Sequence, residues 1–303
     1  MVQARRGCKK IGKSDTNDGI TAIQHCRLEL NQCVDNKPAA SDSLNRHQEQ
    51  GIAAMEAWKK HWLSREFLAP NVMEIDIDND VFASAFDLVP EIQQVEAGPE
   101  AITLASGLHF NVLSMSSTWS SDMLWIAQDD IRTYEFFEKL FRASGISRHV
   151  ADRIDFEGFL RLYSGIFVTR SRCEKADMHV DYVEGNNDAF TFIMPLTQNC
   201  SEMGLSYINA RGEVAEYAYR YGKGLIYGDH FQHSTMPGQT NQRCVLLAFM
   251  FGTNKMKNWQ NIAVTAAHQG GLHCQPDGTF IHKDTVYDVS GHLQKPLANG
   301  RMI

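Results

Sequence analysis

Two short stretches hold the residues that could do chemistry together. One is Met178-His179-Val180-Asp181; the other is Asp229-His230-Phe231-Gln232-His233, running on to Arg243. Side chains two apart on an extended strand point the same way, so His179 and Asp181 present an imidazole and a carboxylate to one side. With a third imidazole from a distant strand, such a set can hold one face of a metal ion and leave the other face open. His230 and His233 compete for that third place. Arg243 opens the apolar run from Cys244 to Phe251. A cation at the mouth of a hydrophobic strand is costly to desolvate unless an anion meets it, and a carboxylate gripped by two parallel hydrogen bonds is a suitable one.

Taken together, His179-Val180-Asp181, His233 and Arg243 resemble the H-x-D...H...R signature of the Fe(II)/2-oxoglutarate-dependent oxygenases. In that family the last histidine commonly precedes the cosubstrate-binding Arg or Lys by about ten residues, which His233 fits better than His230. The resemblance implies Fe(II) on His179, Asp181 and His233, with O2 and 2-oxoglutarate as cosubstrates and Arg243 on the distal carboxylate. It also implies a double-stranded β-helix, a distorted, cupin-like jelly roll. The implied reaction couples decarboxylation of 2-oxoglutarate to succinate with C–H oxidation of a small metabolite, by hydroxylation, desaturation or oxidative ring closure.

Departures from the signature narrow the reading. Arg243-Cys244-Val245 lacks the R-x-S form, so a second contact to the carboxylate is expected from Tyr163, Thr191 or Thr235. Phe249 stands where a nucleic-acid demethylating branch carries a second arginine, and Asp181 keeps the carboxylate that halogenating relatives replace. A looser likeness, tied to no one motif, is to the algal kainoid synthases, which close a ring on an amino-acid-derived substrate; it points to specialised metabolism.

Beyond the metal residues, Tyr182, Glu184, Asn186 and Asn187 lie in a polar loop that could orient a substrate, although Gly, Asn and Asp equally favour an ordinary turn. Arg170 and Arg172 could receive a substrate carboxylate, and a solvated strand end accounts for them as well. Two other readings use the same residues: a metal-free jelly-roll binding module, and a cupin-like metalloenzyme that does not use 2-oxoglutarate.

The elements that must position these residues follow from periodicity. Short β-rich runs at Gly165–Thr169, Ala189–Leu196, Gly204–Ile208, Val214–Tyr219, Gly224–Tyr227 and Arg243–Gly252 indicate an antiparallel sandwich or barrel over about 163–253. Apolar residues at threes and fours predict an amphipathic helix over Asp129–Ser144. Further helices are expected over Ser43–Leu63, Val150–Leu162 and Asn258–Gln269, with a turn at Pro276-Asp277-Gly278 and a last polar extension. The class is α+β, with N-terminal helices buttressing one sheet. Residues 1–40 are expected to be a partly ordered extension and 41–303 a single domain.

Composition excludes several partners. A formal charge of -7 in 303 residues does not suit a surface that neutralises phosphates, so nucleic acid is excluded and a small-molecule substrate is expected. No apolar stretch approaches the length of about 18 residues that spans a membrane. Seven scattered cysteines suit reduced thiols and a cytoplasmic location, and His25, Cys26 and Cys33 match no zinc-ligand spacing.

Overall fold

The computed structural model describes residues 62–116, 119–182, 185–269, 271–282, 285–287 and 293–296. The chain divides into two units, Met1–Gln48 and Glu49–Ile303, and every described residue belongs to the second. The expected N-terminal extension and nearly all of the Ser43–Leu63 helix lie outside the described residues. Leu63 itself is a strand residue.

In chain order the strands are β1 (Leu63–Ser64), β2 (Ala69–Pro70), β3 (Val72–Asp76), β4 (Ala101–Thr103), β5 (His109–Ser114), β6 (Leu124–Gln128), β7 (Arg161–Cys173), β8 (Ala189–Pro195), β9 (Leu205–Ile208), β10 (Val214–Tyr217), β11 (Lys223–Tyr227), β12 (His233–Thr235), β13 (Gly238–Gly252), β14 (Leu272–Cys274), β15 (Phe280–His282), β16 (Thr285–Tyr287) and β17 (Leu293–Pro296). The helices are α1 (Ala83–Phe86), α2 (Val89–Gln93), α3 (Ile131–Ser144) and α4 (Trp259–Gln269).

A major antiparallel sheet runs β3-β11-β8-β13-β7-β6-β5-β4 and a minor one β10-β9-β12. His179 adds a further edge to the minor sheet through a bridge to His233. From β7 onward the chain alternates between the two sheets: β7, then His179, then β8, β9 and β10, β11, β12, β13. That alternation is a double-stranded β-helix, so the jelly-roll expectation holds.

The two faces of the major sheet bury different things. Along β13, Val245, Leu247, Phe249 and Phe251 join the cluster under the helices, while Cys244, Leu246 and Ala248 join the cluster inside the barrel. A strand covered on both faces reads as a continuous apolar run, as this one does. On the outer face α3 docks through Tyr134, Phe137, Leu140 and Phe141. Its start is fixed by Asp130, whose side chain accepts from the Thr133 amide at 2.7 Å, and its end by Gly145 at φ 64°.

Two expectations are corrected. The stretch Val150–Leu162 is not a helix: residues 151–160 form turns and bends, and β7 begins at Arg161. Gly158 takes a φ of 75°, and the 155–157 backbone is tied down instead by the Thr253 hydroxyl, which donates to Asp155 O at 2.6 Å, and by the Asn254 side chain. Beyond the turn at Pro276-Asp277-Gly278, the expected polar extension contains β15, β16 and β17, which form a small sheet with β14 from before the turn.

That sheet holds His273, which is 3% exposed with both ring nitrogens lacking a hydrogen-bond partner. Burial, reinforced by His282, pushes its imidazole down to about 4. The folded state therefore refuses a proton that the unfolded chain accepts near pH 6.5, and stability falls as pH drops from there toward 4. His273→Phe is expected to flatten the loss of Tm between pH 7 and pH 5 in metal-free protein. An unchanged Tm slope would show that the ring finds a partner in solution.

Cys173, Cys200, Cys244 and Cys274 are buried free thiols. Among the described residues no helix is long and apolar enough to cross a membrane.

Candidate metal centre

His179 and His233 come together because their backbones pair: each amide donates to the other's carbonyl at 2.9 Å. This brings the two imidazoles to a centroid distance of 4.5 Å. Asp181 lies with its Oδ1 3.7 Å from Nε2 of each histidine, and the three side chains offer donor atoms that all fall within 4.8 Å of one another. The arrangement is two imidazoles and one carboxylate converging on a point, with other directions left open.

The surroundings fix which atoms face that point. Nδ1 of His179 lies 2.9 Å from Asp177 O, and Nδ1 of His233 lies 3.0 Å from Phe231 O. A carbonyl can only accept, so each Nδ1 donates to it and Nε2 is the ring atom turned toward the centre. Burial, with His233 alongside, pushes the His179 imidazole down to about 4, the neutral form a metal requires. The Thr191 hydroxyl donates to Asp181 Oδ2 at 2.7 Å and leaves Oδ1 to the centre. The Thr265 hydroxyl donates to the Asp181 carbonyl from α4. Aromatic rings hold the imidazoles: Trp119 edge-on to His179 at 4.1 Å, and Phe231 stacked on His233 at 5.3 Å.

The centre opens into a cavity of about 550 Å³ of empty space, part of it continuous with solvent. Its walls are the inward rows of the barrel, with Ile166, Val168, Ile193, Leu205 and Ala248 apolar and Thr191, Thr235 and Tyr227 polar. Trp119 and Trp125 complete it. Among the described residues that line it there is no Arg or Lys.

The remaining expected residues are placed as follows. His230 is exposed in a turn at φ 64°, on the other side of Phe231 from the centre's His233. Arg243 does not enter the cavity. Its guanidinium reaches Thr169 Oγ1 at 3.3 Å and Asp122 O at 3.4 Å, and it borders Gln93 and Gln94 of α2 on the helix-covered side. Tyr163 lies toward the opposite end of the β7–β13 pair from Arg243, buried against Trp259 with its hydroxyl donating to Thr253 O at 2.7 Å. Thr191 and Thr235 do line the cavity, Thr191 being engaged with Asp181.

Of the loop residues, Tyr182 is buried rather than at the mouth, its hydroxyl 3.3 Å from Thr191 Oγ1. Asn186 and Asn187 take φ of 55° and 60°, and the Asn187 side chain accepts from Asn71, so they build a turn. Glu184 lies outside the described residues. Arg172 is exposed beside Glu174 at 3.5 Å, a solvated strand end. Arg170 is 2% exposed, far from a solvated end.

Trp119, Trp125 and Tyr227 went unremarked in the sequence. Tyr227 alternates correctly on β11, but Trp119 is a lone aromatic in a serine-rich loop and carries no periodic signal.

No protein-family model and no curated protein matches the sequence. Solved structures do resemble the fold. HygX from Streptomyces hygroscopicus with nickel and 2-oxoglutarate bound is 15% identical with a TM-score of 0.42, over 65% of this chain and 90% of that one. The non-heme alpha ketoglutarate dependent epimerase SnoN from nogalamycin biosynthesis is 10% identical with a TM-score of 0.41, over 67% and 84%. The carbocyclase SnoK of the same biosynthesis is 12% identical with a TM-score of 0.41, over 63% and 85%.

Proposed function

We propose that the protein is a non-haem Fe(II) oxygenase that uses 2-oxoglutarate and O2 to oxidise a C–H bond of a small metabolite. The observation that carries this reading is the convergence of His179, Asp181 and His233 within 4.8 Å, each histidine held by a backbone carbonyl at Nδ1 so that Nε2 faces the centre. Two neutral imidazoles and one carboxylate suit Fe(II), and three protein ligands leave coordination places for other molecules. Iron(II) held there with a 2-oxo acid would supply the activation of O2, with decarboxylation to succinate. The chain's own residues do the rest. Thr191 aims Asp181, the paired backbones of 179 and 233 set the distance between the imidazoles, and the aliphatic walls give an apolar surface beside the centre. The cavity opens to solvent beside the centre, and hydroxylation, desaturation and oxidative ring closure all lie within this chemistry.

The reaction is tested by incubating iron-loaded protein with 2-oxoglutarate, ascorbate and O2. Succinate should form in wild type and be absent in Asp181→Ala. Equal succinate from the two would remove the centre from the reaction. A second reading, a cupin-like metalloenzyme that uses no 2-oxoglutarate, is supported by the lack of Arg or Lys among the described residues that line the cavity; iron binding without succinate would select it.

A further inference from the structure

Resting on that reading, we propose that Arg170, and not Arg243, receives the distal carboxylate of 2-oxoglutarate. Arg170 is the next inward residue on β7 after Ile166 and Val168, both of which line the cavity. It is 2% exposed, and its partners are carbonyls: Nη2 donates to Met203 O at 2.6 Å and to Gly204 O at 3.5 Å, while Nε is buried with no hydrogen-bond partner. Among the described residues no carboxylate lies within ion-pair distance of it. Its titratable neighbours are thiols and phenols, notably Cys200, Cys244 and Tyr219. The Tyr219 ring faces the guanidinium at 5.9 Å, close enough for its buried hydroxyl to interact with the arginine's charge.

A guanidinium withdrawn from water without an anion is strongly unfavourable, and its charge cannot be shed by deprotonation. Such a group is built for an anion that arrives from outside. The cavity walls lead to it by three routes. Val168 precedes it by two on the same strand face; Gly204, whose carbonyl it reaches, adjoins the lining residue Leu205; and the same Gly204 carbonyl accepts from the Met236 amide, next to the lining residue Thr235. Thr235 stands two beyond His233 on β12, so the polar row His233–Thr235 runs from the metal centre toward the arginine. A ligand with a metal-chelating 2-oxo acid at one end and a carboxylate at the other matches that polarity.

The test compares two chelators that differ only in the distal group. 2-Oxoglutarate and 2-oxobutyrate are titrated anaerobically into Fe(II)-loaded protein, following the metal-to-ligand absorption that chelation produces. Wild type should bind 2-oxoglutarate about a hundredfold more tightly. Arg170→Gln should bind both acids about equally, with affinity for 2-oxobutyrate close to wild type, which shows that the metal site is intact. Arg170→Lys should fall between, since a point charge lacks the planar fork. Arg243→Ala should keep the full preference. Were the Arg170 variants not to fold, a wild-type preference that survives in Arg243→Ala would still support the assignment. Equal binding of the two acids by wild type, a preference that persists in Arg170→Gln, or its loss in Arg243→Ala would overturn it. If neither acid changes the absorption of iron-loaded wild type, it is the cosubstrate itself that has been misread, and the proposal falls with the function.

Discussion

His233→Ala is expected to leave the protein unable to retain iron through dialysis, while His230→Ala retains it at the wild-type level. His233 is 4% exposed, with its Nδ1 proton committed to Phe231 O and its Nε2 facing Asp181. Removing it deletes one of three donors, and no other His, Cys or carboxylate completes a triad there among the described residues. Changes to residues that merely orient a ligand cost roughly 10- to 100-fold in metal affinity, so loss of a ligand should exceed about a hundredfold. His230 is three residues away in sequence but sits exposed in its turn. Metal content by elemental analysis decides the matter. Iron retained in His233→Ala and lost in His230→Ala would place the third ligand at His230.

The largest effect on stability is expected where α3 meets the sheet. Phe137 is fully buried and packs against Phe110, Phe167 and Phe249 at centroid distances of 6.1, 5.4 and 6.2 Å. Phe137→Ala should cost about 3–5 kcal/mol. Directly beneath it is Gly165, where an added Cβ would stand 2.1 Å from the Phe137 ring. Gly165→Ala should therefore also destabilise, because the helix must lift or the ring must turn. The two changes are coupled. In the Phe137→Ala background the ring is gone but the Cβ of residue 137 stays 2.5 Å from the added methyl, so the clash is relieved only in part and the double variant should lose less than the sum of the single losses. Denaturant unfolding of the four proteins measures this. Additive losses would mean that the helix does not dock as described.

Much of the centre was readable from the residues themselves. His179 and Asp181 share a face because they are two apart, and the ten-residue step from His233 to Arg243 picks the histidine that the structure brings beside them. The same step also points to Arg243, which the structure places outside the cavity. Between Gln239 and Cys244 the pairing of β13 with β7 slips, so that residues 240–243 stand opposite Ser171 alone. A bulge of that kind resets which face a side chain takes, and nothing in linear spacing reports it. Arg170 was obscured for the opposite reason. The apolar run ends at Thr169, yet β7 continues in register to Cys173, which carries Arg170 inward while it looks like the edge of a loop. The α3 helix was readable because its capping residues and apolar period agree, whereas Val150–Leu162 has the apolar residues without a backbone free to follow them.

The indole of Trp119 meets the His179 ring edge-on, and Trp125 lies 6.5 Å from Trp119 on the same cavity wall. The protein thereby carries its own optical gauge. A paramagnetic ion bound by His179 and His233 should quench the emission of these two indoles. Trp259, packed against Tyr163 in a separate apolar cluster, contributes a steadier background. Occupancy of the centre can then be followed in real time by fluorescence, without any turnover and before any substrate has been identified.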